Sequence, residues 1–150
     1  MLIGEVMTGS VVTASPETSV REAAELMRER NVGSVVLVDR SGLPVGLLTD
    51  RDIVVGAVAD GRDPDGDRAA DHASGPVVCG RPEMDLDQAA ELMMRHKIRR
   101  LPVLDGNRLT GIVTLDELVA RTGDTAVAHT ITSAATRAPV PGFYFFNRGG

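Results

Sequence analysis

The stretch GSVVTASPETSVREAAELMRERNVGSVVLVD, residues 9–39, is written a second time, with changes, as GPVVCGRPEMDLDQAAELMMRHKIRRLPVLD at residues 75–105. Pro16 meets Pro82, the run Ala23–Met27 meets Ala89–Met93, and Asp39 meets Asp105. One residue drops out of the following turn. GLLTDRD at 46–52 then meets GIVTLDE at 111–117, so Thr49 falls on Thr114. Self-similarity over such a span marks a repeated supersecondary unit. The chain closes an apolar run with threonine and acids twice because it is two copies of one unit.

Each copy reads in the same order. A short strand, Val11–Thr13 or Val77–Cys79, runs into a proline turn. A helix follows, with Val20, Ala23, Ala24 and Met27, or Leu86, Ala89, Ala90 and Met93, at the i, i+3, i+4, i+7 spacing of an apolar stripe. Ser19 with Glu22, and Asp85 with Gln88, are spaced as capping boxes. An apolar strand then runs over Ser34–Val38 or Leu101–Leu104, with a turn at Asp39–Gly42 or Asp105–Asn107. A third strand leads to Thr49 or Thr114, after which a second helix begins. The predicted unit is β-α-β-β-α.

The predicted organisation is a first repeat at 1–58, a linker at 59–71, a second repeat at 72–122 and a tail at 123–150. The linker sequence ADGRDPDGDRAAD has Gly, Pro and several Asp and little to bury, so it reads as exposed. One unit of about 55–65 residues buries too small a share of its surface for comfortable stability. Two units packed sheet to sheet about a pseudo-two-fold axis relieve that. The fold class is therefore α/β, with two pseudo-symmetric repeats.

Composition narrows the function classes. In 150 residues there are 16 Lys and Arg against 21 Asp and Glu, a net charge of -5. That is no electrostatic footprint for nucleic acid, although a local basic pocket remains compatible with it. The start, MLIGEVMTGS, lacks a basic segment and a long apolar core, and no apolar run approaches the roughly 18 residues of a membrane span. The single cysteine, Cys79, rules out an internal disulfide. The expected location is the cytoplasm, without a membrane partner.

Thr49 and Thr114 each stand where a strand ends and a helix begins. Two readings of the acids behind them stay open. In the first, the threonine is an N-cap, with Asp50, Asp52, Asp116 and Glu117 complementing the helix dipole. In the second, the free N–H groups and the hydroxyl take a phosphate, while a carboxylate three residues on accepts two hydrogen bonds from a vicinal diol. Hydroxyl and acid at this spacing suit a ribose phosphate.

Taken in order and twice over, the EAAELM helices, the RRLPVLD strand and GLLTDRD/GIVTLDE resemble a pair of cystathionine-β-synthase (CBS) domains. The resemblance covers about residues 3–121 and implies a regulatory rather than catalytic role. Such pairs bind adenosine-containing ligands (AMP, ADP, ATP, sometimes S-adenosylmethionine or dinucleotides) in two clefts between the repeats, with no cofactor required. They associate through helix faces, which implies a homodimer, and an unidentified protein partner reads the change of shape.

Carried over by position, the resemblance implies one cleft with Thr49, Asp52 as ribose acid, Val78 and Ile98 as apolar wall, and Arg99 and Arg100 for phosphate. The other combines Thr114, Asp116, Glu117, Val12, Val32, Gly33 and Ser34. It has no cation at the matching place and Glu where Asp is usual, so the first cleft is the better equipped. Arg99 and Arg100 also read as a solvated strand end.

Other signals are weaker. His72, His96 and His129 lack metal-ligand spacing, and no metal site is expected. No Ser/His/Asp or Cys/His grouping suggests nucleophilic catalysis, and no Gly-rich loop matches a phosphate or dinucleotide fingerprint. Cys79 reads either as a small buried hydrophobe or as a redox site. All four aromatics fall together at Phe143, Tyr144, Phe145 and Phe146. They read as an anchor, on this chain, a second copy or a partner protein. A rival function is therefore a ligand-independent interaction module using the dimer surface and this segment.

Overall fold

Capping chemistry and apolar spacing produce the helices where the sequence places them. The computed structural model describes residues 1–123; the FYFF segment lies outside them. Helix α1 spans Ile3–Val6 and strand β1 spans Thr13–Ala14. Helix α2, Val20–Arg30, starts at Ser19, whose hydroxyl accepts from the Glu22 N–H at 3.1 Å. It buries Val20, Ala23 and Met27 and ends at Asn31 with φ 53°. Strands β2, Ser34–Val38, and β3, Pro44–Thr49, form a hairpin. Asp39 Oδ1 ties its turn by accepting from the N–H of Ser41 and Leu43, and Gly42 supplies φ 84°. The second helix of this repeat is a short α segment, α3 (Asp50–Asp52), that widens into a π-helical turn at Ile53–Val58.

In the second repeat, helix α4, Leu86–His96, has the full reciprocal box: Asp85 Oδ1 accepts from Gln88 N–H at 2.8 Å and Gln88 Oε1 from Asp85 N–H at 3.0 Å. Strands β4, Arg100–Asp105, and β5, Arg108–Thr114, lead into α5, Leu115–Thr122, which ends at Gly123 with φ 65°.

The sheets differ by one strand. In the first repeat β1 pairs parallel with β2, and β2 antiparallel with β3. In the second, β4 and β5 pair antiparallel, but the expected strand at Val77–Cys79 is reduced to one bridge between Gly80 and Val103. Proline explains the difference. Val36 N–H donates to Val12 C=O at 3.0 Å. The residue in the place of Val36 is Pro102, which has no N–H to offer Val78. The ladder loses that rung and keeps Gly80 N–H to Pro102 C=O at 2.8 Å and Leu104 N–H to Gly80 C=O at 2.9 Å.

The leading segments of the two repeats change places. Leu2 bridges Asp85 and Thr8 bridges Ile112, so the first residues of the chain lie on the second repeat. Ile3 is 0% exposed and sits with Val6, Leu86, Ala89, Met93, Leu101, Val103, Val113 and Leu118 in one core. The matching segment before the second repeat does the reverse: Arg68 bridges Ser19 and Ser74 bridges Leu47. Its 3-10 turn, Ala69–Asp71, buries Ala69 with Ala23, Met27, Val35, Leu37 and Leu48. Each unit thereby completes the other's core, which is why neither has to be stable alone.

This corrects the expectation that 59–71 is exposed throughout. Asp67 is also buried, and its charge is met on both sides. Arg62 donates from Nε at 2.9 Å and Nη2 at 3.0 Å, and His72 Nε2 lies 2.8 Å away. Hydrogen bonds from Arg62 and His72 hold the Asp67 carboxyl down at about 2. His72 can approach because residue 56 is glycine; a Cβ there would meet its Nδ1 at 2.7 Å.

Candidate functional site

Both strand-end threonines are N-caps with reciprocal partners. Thr49 Oγ1 accepts from Asp52 N–H at 3.1 Å, and Asp52 Oδ2 accepts from Thr49 N–H at 2.8 Å. Thr114 and Glu117 repeat the arrangement at 3.2 and 2.7 Å. Capping does not exclude binding, because the Asp52 box uses one carboxylate oxygen. Glu117 has both oxygens engaged: Oε2 takes the Thr114 N–H and hydroxyl, and Oε1 takes the Thr8 hydroxyl at 2.5 Å.

A cavity of about 550 Å3 opens between the repeats, within the range usual for ligand sites. Thr49, Asp52, Arg99 and Arg100 line it together, joined by Asp50, Ser74, Lys97 and Asp116. Val78 and Ile98 do not; both are half-buried and pack against the core of the second repeat. Asp116, assigned by position to the other cleft, faces this one.

The sequence reading missed Lys97. It ends α4 in the left-handed conformation, with φ 55°, at the position where α2 ends in Asn31. Asn visits that region readily and Lys does not. A lysine aligned with a helix-ending asparagine was the available signal. Among the described residues, Lys97, Arg99 and Arg100 form no ion pair within 4.0 Å. Four cations, Arg51, Lys97, Arg99 and Arg100, thus line one polar cleft together with the carboxylates of Asp50, Asp52 and Asp116. Such a cluster, with its planar guanidinium forks, suits a phosphate.

A second cavity, of about 240 Å3, holds Val12, Val32, Gly33, Ser34, Thr114 and Glu117, with Val36 and Ile112 adding apolar wall. Thr8 and Ser10 also line it, and so does Arg100. The sequence reading gave Arg100 to one cleft; its side chain borders both. Gly33 lies beside both side chains: a Cβ there would stand 3.4 Å from Asp50 Oδ2 and 3.6 Å from Arg100 Nη2, ordinary contact distances.

Of the weaker signals, burial pushes the Cys79 thiol up, which disfavours the reactive thiolate. Among the described residues no three His, Cys, Asp or Glu side chains are grouped to hold a metal ion, and no helix is long and apolar enough to cross a membrane.

Two α/β repeats that exchange leading segments and set threonine–acid caps at the clefts between them define a tandem repeat module. The CBS domain profile matches residues 3–57 and again 69–123, and the chain belongs to the CBS domain family. It is 43% identical over 116 residues to the CBS domain-containing protein YhcV of Bacillus subtilis, covering 77% of this chain and 81% of that one. Among solved structures it is similar to the CBS domain protein TA0289 of Thermoplasma acidophilum, with a TM-score of 0.81 and 25% identity over 91% of this chain and 77% of that one. It is also similar to a hexameric CBS-CP12 protein from bloom-forming cyanobacteria, with a TM-score of 0.74 and 28% identity over 98% of this chain and 79% of that one.

Proposed function

We propose that this chain is a non-catalytic regulatory module that binds an adenosine-containing nucleotide of the AMP, ADP or ATP class in the larger cleft. The convergence of Lys97, Arg99 and Arg100 on the cavity that also holds Thr49 and Asp52 carries the proposal. The cations take the phosphates. Asp52, with one carboxylate oxygen used in its cap, turns the other to the ribose diol. Arg99, Arg100 and Lys97 come from the second repeat and Thr49 and Asp52 from the first, so a bound nucleotide ties the repeats together. It biases the angle between them only by its differential affinity for the two shapes.

Self-association is part of the proposal. Val54, Val55 and Val58 are 57%, 37% and 63% exposed along the π-helical turn, an apolar face suited to a second copy. The hexameric cyanobacterial relative supports assembly of such folds.

The test is thermal unfolding of the purified protein against AMP, ADP, ATP, S-adenosylmethionine and NAD. A ligand at about 100 times its dissociation constant adds about 2.7 kcal/mol. A clear upward shift with an adenine nucleotide, lost in Asp52→Ala, supports the proposal. No shift across the panel in a well-folded sample sinks it and favours a ligand-independent interaction module.

A further inference from the structure

The two repeats carry the same device in two states, and the difference lies in Thr8. In the second repeat the Thr8 hydroxyl donates to Glu117 Oε1 at 2.5 Å, while Oε2 accepts from Thr114 N–H and hydroxyl. Both carboxylate oxygens are engaged by the protein. In the first repeat the residue matching Thr8 is Ser74, which borders the larger cleft. Its hydroxyl turns away from the acid and donates to Leu47 C=O at 3.3 Å. Asp52 is one methylene shorter than Glu117, and among the described residues its carboxylate accepts from the Thr49 N–H alone, through Oδ2.

We infer that Thr8 is a built-in blocker of the smaller cleft, so that the chain takes one nucleotide rather than two. This rests on the nucleotide reading of the larger cleft. A diol is gripped by a carboxylate that offers oxygen lone pairs to both hydroxyls. Thr8 lines the cavity and puts its own hydroxyl on Glu117, in the place of one of the ligand's. Its N–H donates to Ile112 C=O at 3.0 Å and its C=O accepts from Ile112 N–H at 3.0 Å, so its backbone is held on β5 beside the acid. The cavity that remains, about 240 Å3, is smaller than usual ligand sites. Its apolar wall of Val12, Val32, Val36 and Ile112, with Arg100 at its border, is otherwise suited to a nucleotide. The N-terminal segment thus decides stoichiometry, and whatever draws it off the second repeat opens a second site.

The experiment is calorimetric titration of the full chain with AMP and, separately, with ATP, for the wild type, Thr8→Ala and Thr8→Ala/Glu117→Gln. Thr8→Val, which keeps the bulk and loses the hydroxyl, stands in if Thr8→Ala does not fold. The inference expects one nucleotide per chain for the wild type and two for Thr8→Ala, with the second lost again in the double variant. Two nucleotides on the wild type, or a Thr8→Ala protein that still takes one, overturns it. A wild type that binds neither probe is the failure of the larger-cleft proposal instead. In that case a single site gained in Thr8→Ala still supports the blocker, and no site in either protein overturns both.

Discussion

Arg100 and Thr114 are register partners on the β4–β5 ladder, and both line the larger and the smaller cavity. The matching rung in the first repeat is Ser34 with Thr49. There Ser34 lines the smaller cavity and Thr49 the larger. A long cation in place of a short hydroxyl makes the pseudo-symmetric pair chemically unequal.

Arg100→Ala is therefore expected to weaken nucleotide binding by about 10- to 100-fold, the usual worth of hydrogen bonds to a charged group. Titration calorimetry reads this directly. Arg100→Lys should recover part of the loss, because it keeps the charge and loses the fork. Unchanged affinity in Arg100→Ala would remove the phosphate role.

Asp52→Ala separates cap from site. The cap is worth about 1 kcal/mol, so urea unfolding should show a small loss of stability. Nucleotide affinity should fall by at least about tenfold. A variant that loses stability and keeps its affinity would make Asp52 a cap and nothing more.

Ile3→Ala should cost about 2–5 kcal/mol. Ile3 is fully buried in the core of the second repeat. Hydrogen exchange should accordingly rise first in β4, β5 and α4 rather than in β2 and β3. Loss of protection confined to the first repeat would contradict the exchange of leading segments.

Gly111→Ala tests how tightly the N-terminal segment is seated. A Cβ there would run into the Met7 side chain and meet Thr8 C=O at 3.1 Å. Overpacking of this kind costs about 1–3 kcal/mol, measurable by chemical unfolding. A neutral result would mean that the segment shifts without penalty.

Asp67 predicts an acid limb. Its folded pKa, about 2, lies below the ordinary carboxylate value. A depressed pKa stabilises the folded state fully above the unfolded value of about 3.9, and that contribution is lost as pH falls from about 4 through 2. Unfolding temperature followed over this window should drop less steeply in Asp67→Asn than in the wild type. Parallel curves would show that the Arg62–Asp67–His72 cluster carries no pH-linked stability.

The parts that local chemistry controls were legible in advance. The helix stripes, the Asp85–Gln88 box and the strand-end threonines depend on residues within a few positions of one another, so periodicity and capping residues predict them. The missing strand was not foreseen, although its cause, Pro102 in the place of Val36, was visible once the repeats were aligned. Lys97 was hidden because a helix-ending residue is judged on its backbone, and its side chain matters only where the chain turns back into a cleft.

The repeat, its element order and the pairing of hydroxyl with acid follow from one line of residues, because each is a short-range pattern that the backbone reads locally. The exchange of Leu2–Thr8 and Arg68–Ser74 between repeats is a matter of which core each segment completes, and apolar burial has no direction along the chain. The bond from Thr8 to Glu117 joins residues 109 positions apart. Folding alone brings that hydroxyl to that carboxylate, and with it the difference between a cleft whose acid keeps a spare oxygen and one whose acid is already engaged.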